Sequence, residues 1–181
     1  MSRAYLSGAI HDATERQYTY RLSQKSSVYI ESIQCLVEGL GFNAWTYREG
    51  RTRDLYVVEF SKQILDGLEI GTSKTKCDYA RGYFDSDGAV PRSSNVHPYI
   101  YFAQSDRTDV EQLKGYLEDL GIETGIVHQP SAEKAPEYWR FYVSTRSHDR
   151  FARIIGSWHP QKRRLLREMR RSTPRRESGI T

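Results

Sequence analysis

The sequence predicts an α+β fold in which one small domain occurs twice, the two copies being related by pseudo-symmetry. Three pairs of segments align: residues 5–14 with 79–88, residues 20–45 with 100–125, and residues 53–71 with 138–156. The period of roughly 75 to 85 residues is too long for a solenoid repeat and fits two copies of a domain. We therefore expect repeats at residues 1–74 and 75–171, followed by a basic flexible tail at 172–181.

The first strands of the two repeats are predicted from alternating residues. Leu22 and Phe102 have the parity of a buried face, whereas Arg21 and Tyr101 have the parity of an exposed face. A short helix of about ten residues precedes these strands in each repeat and ends at an acidic stretch. The pattern therefore predicts antiparallel strands with one face covered by helices and the other open.

Helices follow these strands in both repeats. Apolar residues recur at helical spacing in residues 28–41 and 109–121, and a glycine ends each run. Two more strands and a closing helix complete each repeat, which gives the order αββαββα. Few residues separate Thr14 from Tyr18, so the first hairpin of the first repeat is expected to be short.

The composition excludes several classes of protein. The mean hydropathy is −0.71, and the first ten residues lack the architecture of a secretory signal. No apolar run approaches the roughly 18 residues of a membrane span. We expect an intracellular protein that is neither secreted nor in a membrane, in the cytoplasm, the nucleoid or an organelle. Cys35 and Cys77 lie far apart and predict neither a zinc site nor a disulfide.

The positive charge is concentrated at the end of the chain. The net charge is +4, and residues 160–181 hold eight Lys or Arg against two Glu. The remaining residues carry 19 basic and 21 acidic side chains, a net of −2. The basic segment is compatible with contact to nucleic acid and equally with a solvated helix and a frayed end.

Two carboxylates, Asp85 and Asp87, stand where a helical run gives way to Gly88. One interpretation is an ordinary helix C-terminus with Gly88 as its left-handed cap. Carboxylates there face the negative end of the helix dipole, however, so the pair calls for a compensating cation. A calcium loop beginning at Asp85 is excluded, because its twelfth position is Val96 rather than an acid.

Small residues in both aligned segments predict a close crossing of two helices. Gly8, which follows Ser7, and Gly82 remove side-chain bulk, so that the helix axes can approach at the short end of the usual range. The acidic ends then converge and require a hard cation such as Mg²⁺. Such ions activate water and stabilise a leaving oxygen, as phosphodiester hydrolysis requires.

The segments YLSGAIHDAT and YARGYFDSDG, the duplication, and the strand-ending Gln24 and Gln104 resemble the LAGLIDADG homing endonucleases in their monomeric two-repeat form. The resemblance covers residues 4–170. It implies that the motif helices pack together and that two antiparallel sheets form a DNA-binding saddle. It also implies site-specific cleavage of double-stranded DNA with Mg²⁺ or Mn²⁺, and Ca²⁺ as a non-activating substitute. Because no splicing-domain residues surround the motifs, an intron-encoded protein is expected.

The resemblance assigns roles to particular residues. The candidate catalytic residues are Asp87, Asp12, Gln24, Gln104, Lys162 and Lys76. The candidate metal ligands are Asp87, Asp12 and the backbone carbonyls of Ala13 and Ser86. The two glutamines would orient water beside the metal; the competing interpretation is a plain polar residue at a helix entry. Lys162, and Lys76 or its neighbour Lys74, match the basic residue that faces the scissile phosphate.

The first motif departs from the family pattern. Aligning Gly8 with Gly82 places Ala13 over Asp87, and the nearest acid, Asp12, comes one residue early. On a regular helix this offset is a rotation of about 100°. Three interpretations remain: the helix end tightens or unwinds so that Asp12 serves; the first site is inactive, which leaves a nickase or a binder; or Ala13 is an introduced substitution. The nearby acid and the pliability of helix ends favour Asp12.

The outward strand faces and one turn supply candidate DNA contacts. These residues are Gln17, Thr19, Arg21, Arg48, Arg51, Arg53, His97, Tyr99, Tyr101 and Arg140. An exposed polar strand residue is the simpler interpretation of any single one, but the set predicts contact with base edges and phosphates of double-stranded DNA. Because the two repeats differ in sequence, the recognised site should be long and asymmetric.

Two other functions use the same surface. An RNA-binding maturase would hold a structured intron RNA, which the basic tail would also serve. A transcription regulator would keep the fold and lose the chemistry. An intact Asp87 argues against both, since a pure binder gains nothing from an acid that faces phosphate.

Overall fold

The computed structural model describes residues 1–50, 54–93, 96–130 and 137–172. The helices are α1 (Arg3–Ala9), α2 (Ser27–Gly39), α3 (Ser73–Asp87), α4 (Arg107–Asp119), α5 (His148–Ile154) and α6 (Pro160–Ser172). The strands are β1 (Thr14–Glu15), β2 (Thr19–Gln24), β3 (Ala44–Arg48), β4 (Tyr56–Ser61), β5 (Tyr101–Gln104) and β6 (Trp139–Tyr142). The fold is α+β with antiparallel sheets, as the sequence predicts. In the described residues, no helix combines the length and apolar character needed to cross a membrane.

The two motif helices, α1 and α3, cross at Gly8 and Gly82. A Cβ atom on Gly8 would overlap the backbone oxygen of Tyr79, and one on Gly82 would overlap the backbone oxygen of Tyr5. Any side chain at either position would therefore push the two backbones apart. The prediction that these glycines permit a close crossing is confirmed, and the crossing brings the two helix ends together.

The first repeat forms a four-stranded antiparallel sheet in the order β1-β2-β4-β3. Its inner face buries Leu22, Val58 and Phe60, which pack with Ile30 and Ile33 of α2. β1 has only two residues, so the prediction of a short first hairpin is confirmed. The opposite face of the sheet carries polar and aromatic side chains.

The second repeat repeats this plan with less regular pairing. β5 and β6 form the ladder, and Ala89 extends it by a single bridge to Tyr101. The third strand expected in residues 123–129 is reduced to two bridges, Thr124 to Val143 and His128 to Arg140. Five residues, 124–128, thus oppose four, 140–143, which is a β-bulge. The bulge explains why a continuous strand does not form here.

The closing helices differ from the prediction in the first repeat. There, a single 3₁₀ turn at Lys62–Leu65 replaces the expected helix. Gly67, in a left-handed conformation at φ 65°, lies two residues beyond the end of the turn. The second repeat closes with α5 and α6.

The basic segment is part of the folded body up to residue 172. α6 buries Leu165, Leu166 and Met169 against the second core, while its arginines face outward. The positive charge of this segment therefore belongs to an ordered amphipathic helix. The expected tail at 172–181 lies, apart from its first residue, outside the described residues.

Gly88 is not the left-handed cap of the simpler interpretation. Its backbone is extended, with φ −67° and ψ 147°. A Cβ atom there would overlap Phe84, so glycine is required by close approach rather than by backbone angle. The helix therefore ends with its last acid, Asp87, beside a tightly packed turn.

Candidate active site at the ends of the motif helices

The first motif helix changes geometry just before its acid. α1 ends at Ala9 and Ile10–Asp12 form a 3₁₀ turn, whereas α3 stays α-helical through Asp87. Three 3₁₀ residues advance about 6 Å and turn about 360°, while four α-helical residues advance about 6 Å and turn about 400°. Ala9 and Tyr83 are aligned residues; Asp12 follows Ala9 by three residues, and Asp87 follows Tyr83 by four. The two acids therefore advance equally along their helix axes, and their directions around the axis differ by about 40°. The tight turn compensates for the one-residue offset.

The two glutamines bond to the two acids. Gln24 Nε2 donates to Asp12 Oδ2 at 2.9 Å. Gln104 Nε2 lies 3.3 Å from Asp87 Oδ2 and 3.3 Å from the carbonyl oxygen of His11. Gln104 therefore connects the acid of the second motif to the turn that carries the acid of the first. The structure brings these four predicted side chains into one cluster.

Both acids ionise less readily than a free carboxyl group. Burial, and then the charge on Asp12, raises the pKa of Asp87 to about 7. Loss of hydration also raises the pKa of Asp12, opposed by Lys162 and by the hydrogen bond from Gln24. Two carboxylates that lose hydration in one cluster favour a bound cation, because it would lower the free energy of the doubly ionised pair.

Lys162 is the cation that the chain itself supplies. Its Nζ donates to the backbone oxygens of Phe84 at 2.6 Å and Ser86 at 3.1 Å, at the C-terminus of α3. Burial lowers the pKa of Lys162 to about 8, and the neighbouring carboxylates oppose that change. Lys162 therefore supplies positive charge at the negative end of the α3 dipole, where the sequence places the acids.

Lys76 and Lys74 lie elsewhere, which corrects their place in the predicted site. They stand in the first turn of α3, where Lys76 Nζ bonds to Asp119 at 2.6 Å and Lys74 Nζ bonds to Asp78 at 2.9 Å. Eleven helical residues, about 16 Å, separate Lys76 from Asp87. Sequence similarity after the repeat boundary suggested these lysines, but the helix carries them away from the acids.

The donor set fits a hard divalent cation. In the described ranges, no three His, Cys, Asp or Glu side chains converge on one point, so the chain contributes two carboxylates. Oxygen donors of this kind suit Mg²⁺ or Mn²⁺. The Ser86 carbonyl is already bonded to Lys162. Ala13 follows the tight turn in extended backbone, with φ −88° and ψ 145°. The two carbonyls thus remain candidate ligands with different surroundings.

Asp85, the other acid of the second motif, has a different environment. It is 1% exposed and accepts hydrogen bonds from the Tyr5 hydroxyl at 2.7 Å, from Trp158 N at 2.9 Å, from His159 N at 3.2 Å and from the Ser157 hydroxyl. Asp85 therefore fixes the segment that leads into α6 and delivers Lys162. The sequence spacing indicates this difference, because Asp85 and Asp87 are two positions apart on a helix and so point in nearly opposite directions.

His11 aligns with Asp85 and was missed by the sequence interpretation. Its Nδ1 lies 3.1 Å from Asp109 Oδ2, and its Nε2 lies 2.7 Å from the Tyr79 hydroxyl. The ring also stacks on Tyr83 at a centroid distance of 4.3 Å. Burial lowers the pKa of His11 although Asp109 opposes the change. In the neutral ring, Nδ1 donates to the carboxylate and Nε2 accepts from the tyrosine.

The outward face of the first sheet is occupied by paired charges. Arg21 contacts the Tyr47 hydroxyl at 2.9 Å and Glu49 at 3.0 Å. Glu59, opposite Arg21 in the ladder, accepts from Thr19 at 2.6 Å and from Tyr47 at 3.3 Å. Strand parity predicted Thr19 and Arg21 on this face. The predicted set of contacts did not include Glu59, whose carboxylate lies on the same face.

The outward face of the second sheet is aromatic. Tyr101 packs against Tyr99 at 5.6 Å and Tyr142 at 5.5 Å between ring centroids. The guanidinium of Arg140 lies 4.3 Å from the Tyr101 ring centroid, and its Nη1 lies 3.4 Å from the Tyr142 hydroxyl. Among the described residues, no carboxylate forms an ion pair with Arg140. On this face, the guanidinium of Arg140 is positioned by contacts with two tyrosines.

The remaining predicted DNA contacts have weaker support. Gln17 bonds to its neighbour Tyr18, and Arg48 pairs with Asp54 at 3.2 Å. His97 is exposed at the end of the second face. The other two predicted arginines, Arg51 and Arg53, lie outside the described residues.

Comparison with known proteins matches residues 74–156 to the family of LAGLIDADG-like domains. The second repeat is a LAGLIDADG-like domain. Solved structures with the LAGLIDADG fold superpose on most of this chain. The homing endonuclease I-DmoI in complex with DNA and Ca superposes with a TM-score of 0.67 and 16% identity, covering 92% of this chain and 96% of that one. I-DmoI has also been solved with DNA and Mn.

Two further similarities bear on the LAGLIDADG fold. Full-length DUF199/WhiA from Thermotoga maritima superposes with a TM-score of 0.70 and 16% identity, covering 94% of this chain and 58% of that one. An uncharacterized protein of Methanocaldococcus jannaschii is 23% identical over 148 residues, which is 69% of this chain. The chain spans 56% of the length of that relative. The superposition on WhiA, at this low identity, shows the fold alone.

Proposed function

We propose that this protein is a metal-dependent endonuclease that cleaves both strands of double-stranded DNA and acts as a monomer. One observation carries the proposal: the acids of both motifs, each bonded to a glutamine, meet beside Lys162 where the two helices cross. A monomer suffices because one chain supplies both helix ends.

Each residue of the cluster has a distinct task. Asp12 and Asp87 hold Mg²⁺ or Mn²⁺, which supplies activation of water and stabilisation of phosphoryl charge when bound. Gln24 and Gln104 orient the carboxylates and a nearby water through their amide groups. Lys162, fixed to α3 through two carbonyl oxygens, places positive charge next to the scissile phosphate.

The sheets hold the substrate. A two-stranded antiparallel ribbon fits the major groove, and each repeat offers one outward face to the duplex. Because one face is polar with paired charges and the other is aromatic with Arg140, the two half-sites differ in sequence. The target is therefore long and asymmetric.

The proposal is tested by selecting DNA from a randomised pool by binding in Ca²⁺, then incubating the selected DNA with Mg²⁺. Cleavage of both strands at one position, lost in Asp87→Asn with binding retained, supports the proposal. Selection of a sequence without cleavage in Mg²⁺ or Mn²⁺ contradicts it. Failure to select any sequence contradicts DNA recognition itself.

A second candidate function is sequence-specific DNA binding without cleavage. Ala13 at the position aligned with Asp87 favours it, since one metal ligand of the pattern is then absent. The fold similarity to WhiA shows that this architecture is also found in a protein not described as a nuclease. The same selection separates the candidates, because the binder enriches a sequence that stays intact in Mg²⁺.

A further inference from the structure

We infer that His11 is a positioning residue that turns Asp12 toward Asp87. The inference rests on the proposed function, because it concerns how one acid of that site is oriented. His11 does not contact the reacting atoms in this account; it acts through the residue that follows it in the chain.

The ring of His11 is anchored entirely in the second repeat. Tyr79 and Asp109 bond to its two nitrogens at 2.7 Å and 3.1 Å, and Tyr83 stacks on its face. Its side chain is 16% exposed. Three contacts in different directions leave the ring little rotational freedom, so the position of residue 11 is fixed by α3 and α4.

The main chain at the same residue is also held. Gln104, at the end of β5, lies 3.3 Å from the His11 carbonyl oxygen. Asp12, the next residue, turns back to the first repeat and bonds to Gln24. The 3₁₀ turn is therefore fixed from both repeats at consecutive residues, which favours one orientation of the Asp12 carboxylate.

The anchor matters because the alternative geometry misplaces the acid. Three residues beyond Ala9, an α-helical continuation turns about 300°, whereas a 3₁₀ turn completes about 360°. Without the anchor, Asp12 would point about 60° away from its present direction. A short carboxylate side chain cannot recover such a rotation and still face Asp87.

The residue of the second motif that aligns with His11 makes different contacts, so the anchored histidine is specific to the first motif. Asp85 fills that position and bonds to Tyr5 and to the segment before α6. Tyr5 and Tyr79 are aligned residues, so each motif helix contributes a tyrosine to the other motif. Only the first motif adds the Asp109 contact and the tight turn.

The test compares His11→Ala and Tyr79→Phe with the control Tyr116→Phe, whose ring packs against Tyr79 at a centroid distance of 5.4 Å. Cleavage of each strand of the selected DNA is followed separately in Mg²⁺, and Tb³⁺ luminescence measures ion affinity of the protein without DNA. We expect His11→Ala to slow, by about tenfold or more, only the strand that Asp12→Asn slows, and to weaken Tb³⁺ binding by about tenfold. Tyr79→Phe acts in the same direction with a smaller change, and Tyr116→Phe leaves that strand unchanged.

Several outcomes would overturn the inference. Equal slowing of both strands together with a lower Tm makes His11 a structural residue, and an unchanged strand ratio removes any role. In the Asp12→Asn background, His11→Ala should cause no further loss on that strand; an additional tenfold loss contradicts action through Asp12. If His11→Ala does not fold, Tyr79→Phe and Asp109→Asn decide by the same strand ratio.

The failure of the proposed function gives a different result. If the parent cuts neither strand but binds Tb³⁺, the endonuclease proposal fails, and the Tb³⁺ affinity of His11→Ala still decides the inference. An unchanged affinity then overturns it, whereas a tenfold loss supports it. A parent that neither cuts nor binds Tb³⁺ overturns both.

Discussion

The first motif helix tightens into a 3₁₀ turn before its acid, whereas the second runs as a regular α-helix through Asp87. The acid of the first is exposed and bonded to one glutamine, and that of the second is half-buried with a strongly raised pKa. Equivalent positions in space are thus reached from non-equivalent positions in sequence. The comparison shows that two aligned helices can bring their acids together although the spacing of the acids in the sequence differs.

The two outward sheet faces differ in the same manner. The first holds Arg21 in pairs with Glu49 and places Glu59 at its centre, whereas the second holds Arg140 on tyrosines. Phosphate attracts only uncompensated positive charge, so the second face should supply more of the electrostatic affinity. The first face is better suited to discriminating base edges than to neutralising phosphates.

The largest expected effect comes from Asp87, the half-buried acid. Asp87→Asn should reduce cleavage of the selected DNA by about a hundredfold or more, because it removes a ligand charge. DNA affinity measured in Ca²⁺ by a mobility-shift assay should change by about threefold or less, since the sheets are untouched. A large loss of affinity or of folding would place Asp87 in the scaffold instead.

The exposed acid should affect one strand. Asp12→Asn should leave a nick, with the rate on one strand lowered by about a hundredfold and the other nearly unchanged. Gel analysis of DNA labelled on each strand measures both rates. Cleavage of both strands at the parent rate would make Asp12 a bystander and the first site vestigial.

Moving the acid to the family position should not restore activity. In Asp12→Ala combined with Ala13→Asp, the carboxylate follows the turn in extended backbone, where Ala13 packs against the first core. We expect this double variant to nick like Asp12→Asn. Restored cutting of both strands would show that the turn relaxes into an α-helix and that the tight geometry is unnecessary.

The contribution of Asp87 to the stability of the metal-free protein should fall as the pH rises from about 4 to about 7. A pKa of about 7 for Asp87, against an ordinary value of 3.8, means that the folded state binds more protons than the unfolded state in this window. At about 1.4 kcal/mol per pKa unit, a rise of about three units corresponds to a loss of at most about 4 kcal/mol attributable to Asp87. From pH 5 to pH 7.5, urea unfolding should show the free energy of unfolding of the parent falling relative to that of Asp87→Asn. Equal differences would contradict the buried environment of Asp87.

The two arginines should differ in their contribution to DNA affinity. Arg140→Ala should weaken binding by about tenfold and lower the slope of log K against log salt by about 0.9. Arg21→Ala should cost about threefold or less, because Glu49 already offsets part of its charge. Fluorescence anisotropy at several salt concentrations measures both. Equal effects would contradict the contrast between the faces.

The smallest change is expected at Glu59. Glu59→Gln should raise affinity for non-specific DNA by about two- to threefold, since it removes a carboxylate from the outward sheet face to which we propose DNA binds. The matched control, Glu111→Gln on α4, should have less effect. A loss of non-specific affinity in Glu59→Gln would show that the first sheet does not face phosphate.

The sequence by itself determined the duplication, the class of the fold and the crossing of the motif helices. Period-two alternation placed Leu22 and Phe102 in the two cores, and the aligned glycines located the contact between α1 and α3. These features are local or repeated, so pattern alone reveals them. The resemblance to the LAGLIDADG homing endonucleases placed Asp12, Asp87 and the two glutamines in one site, and the structure brings their side chains together.

Only the tertiary structure decided which groups surround those acids. The tight turn before Asp12 depends on partners in the other repeat, and Lys162 reaches α3 because Asp85 fixes the segment before α6. Lys76 lost its expected place for the same reason, since a helix separated it from the site. Contacts between distant segments are set by packing, and sequence spacing does not encode them.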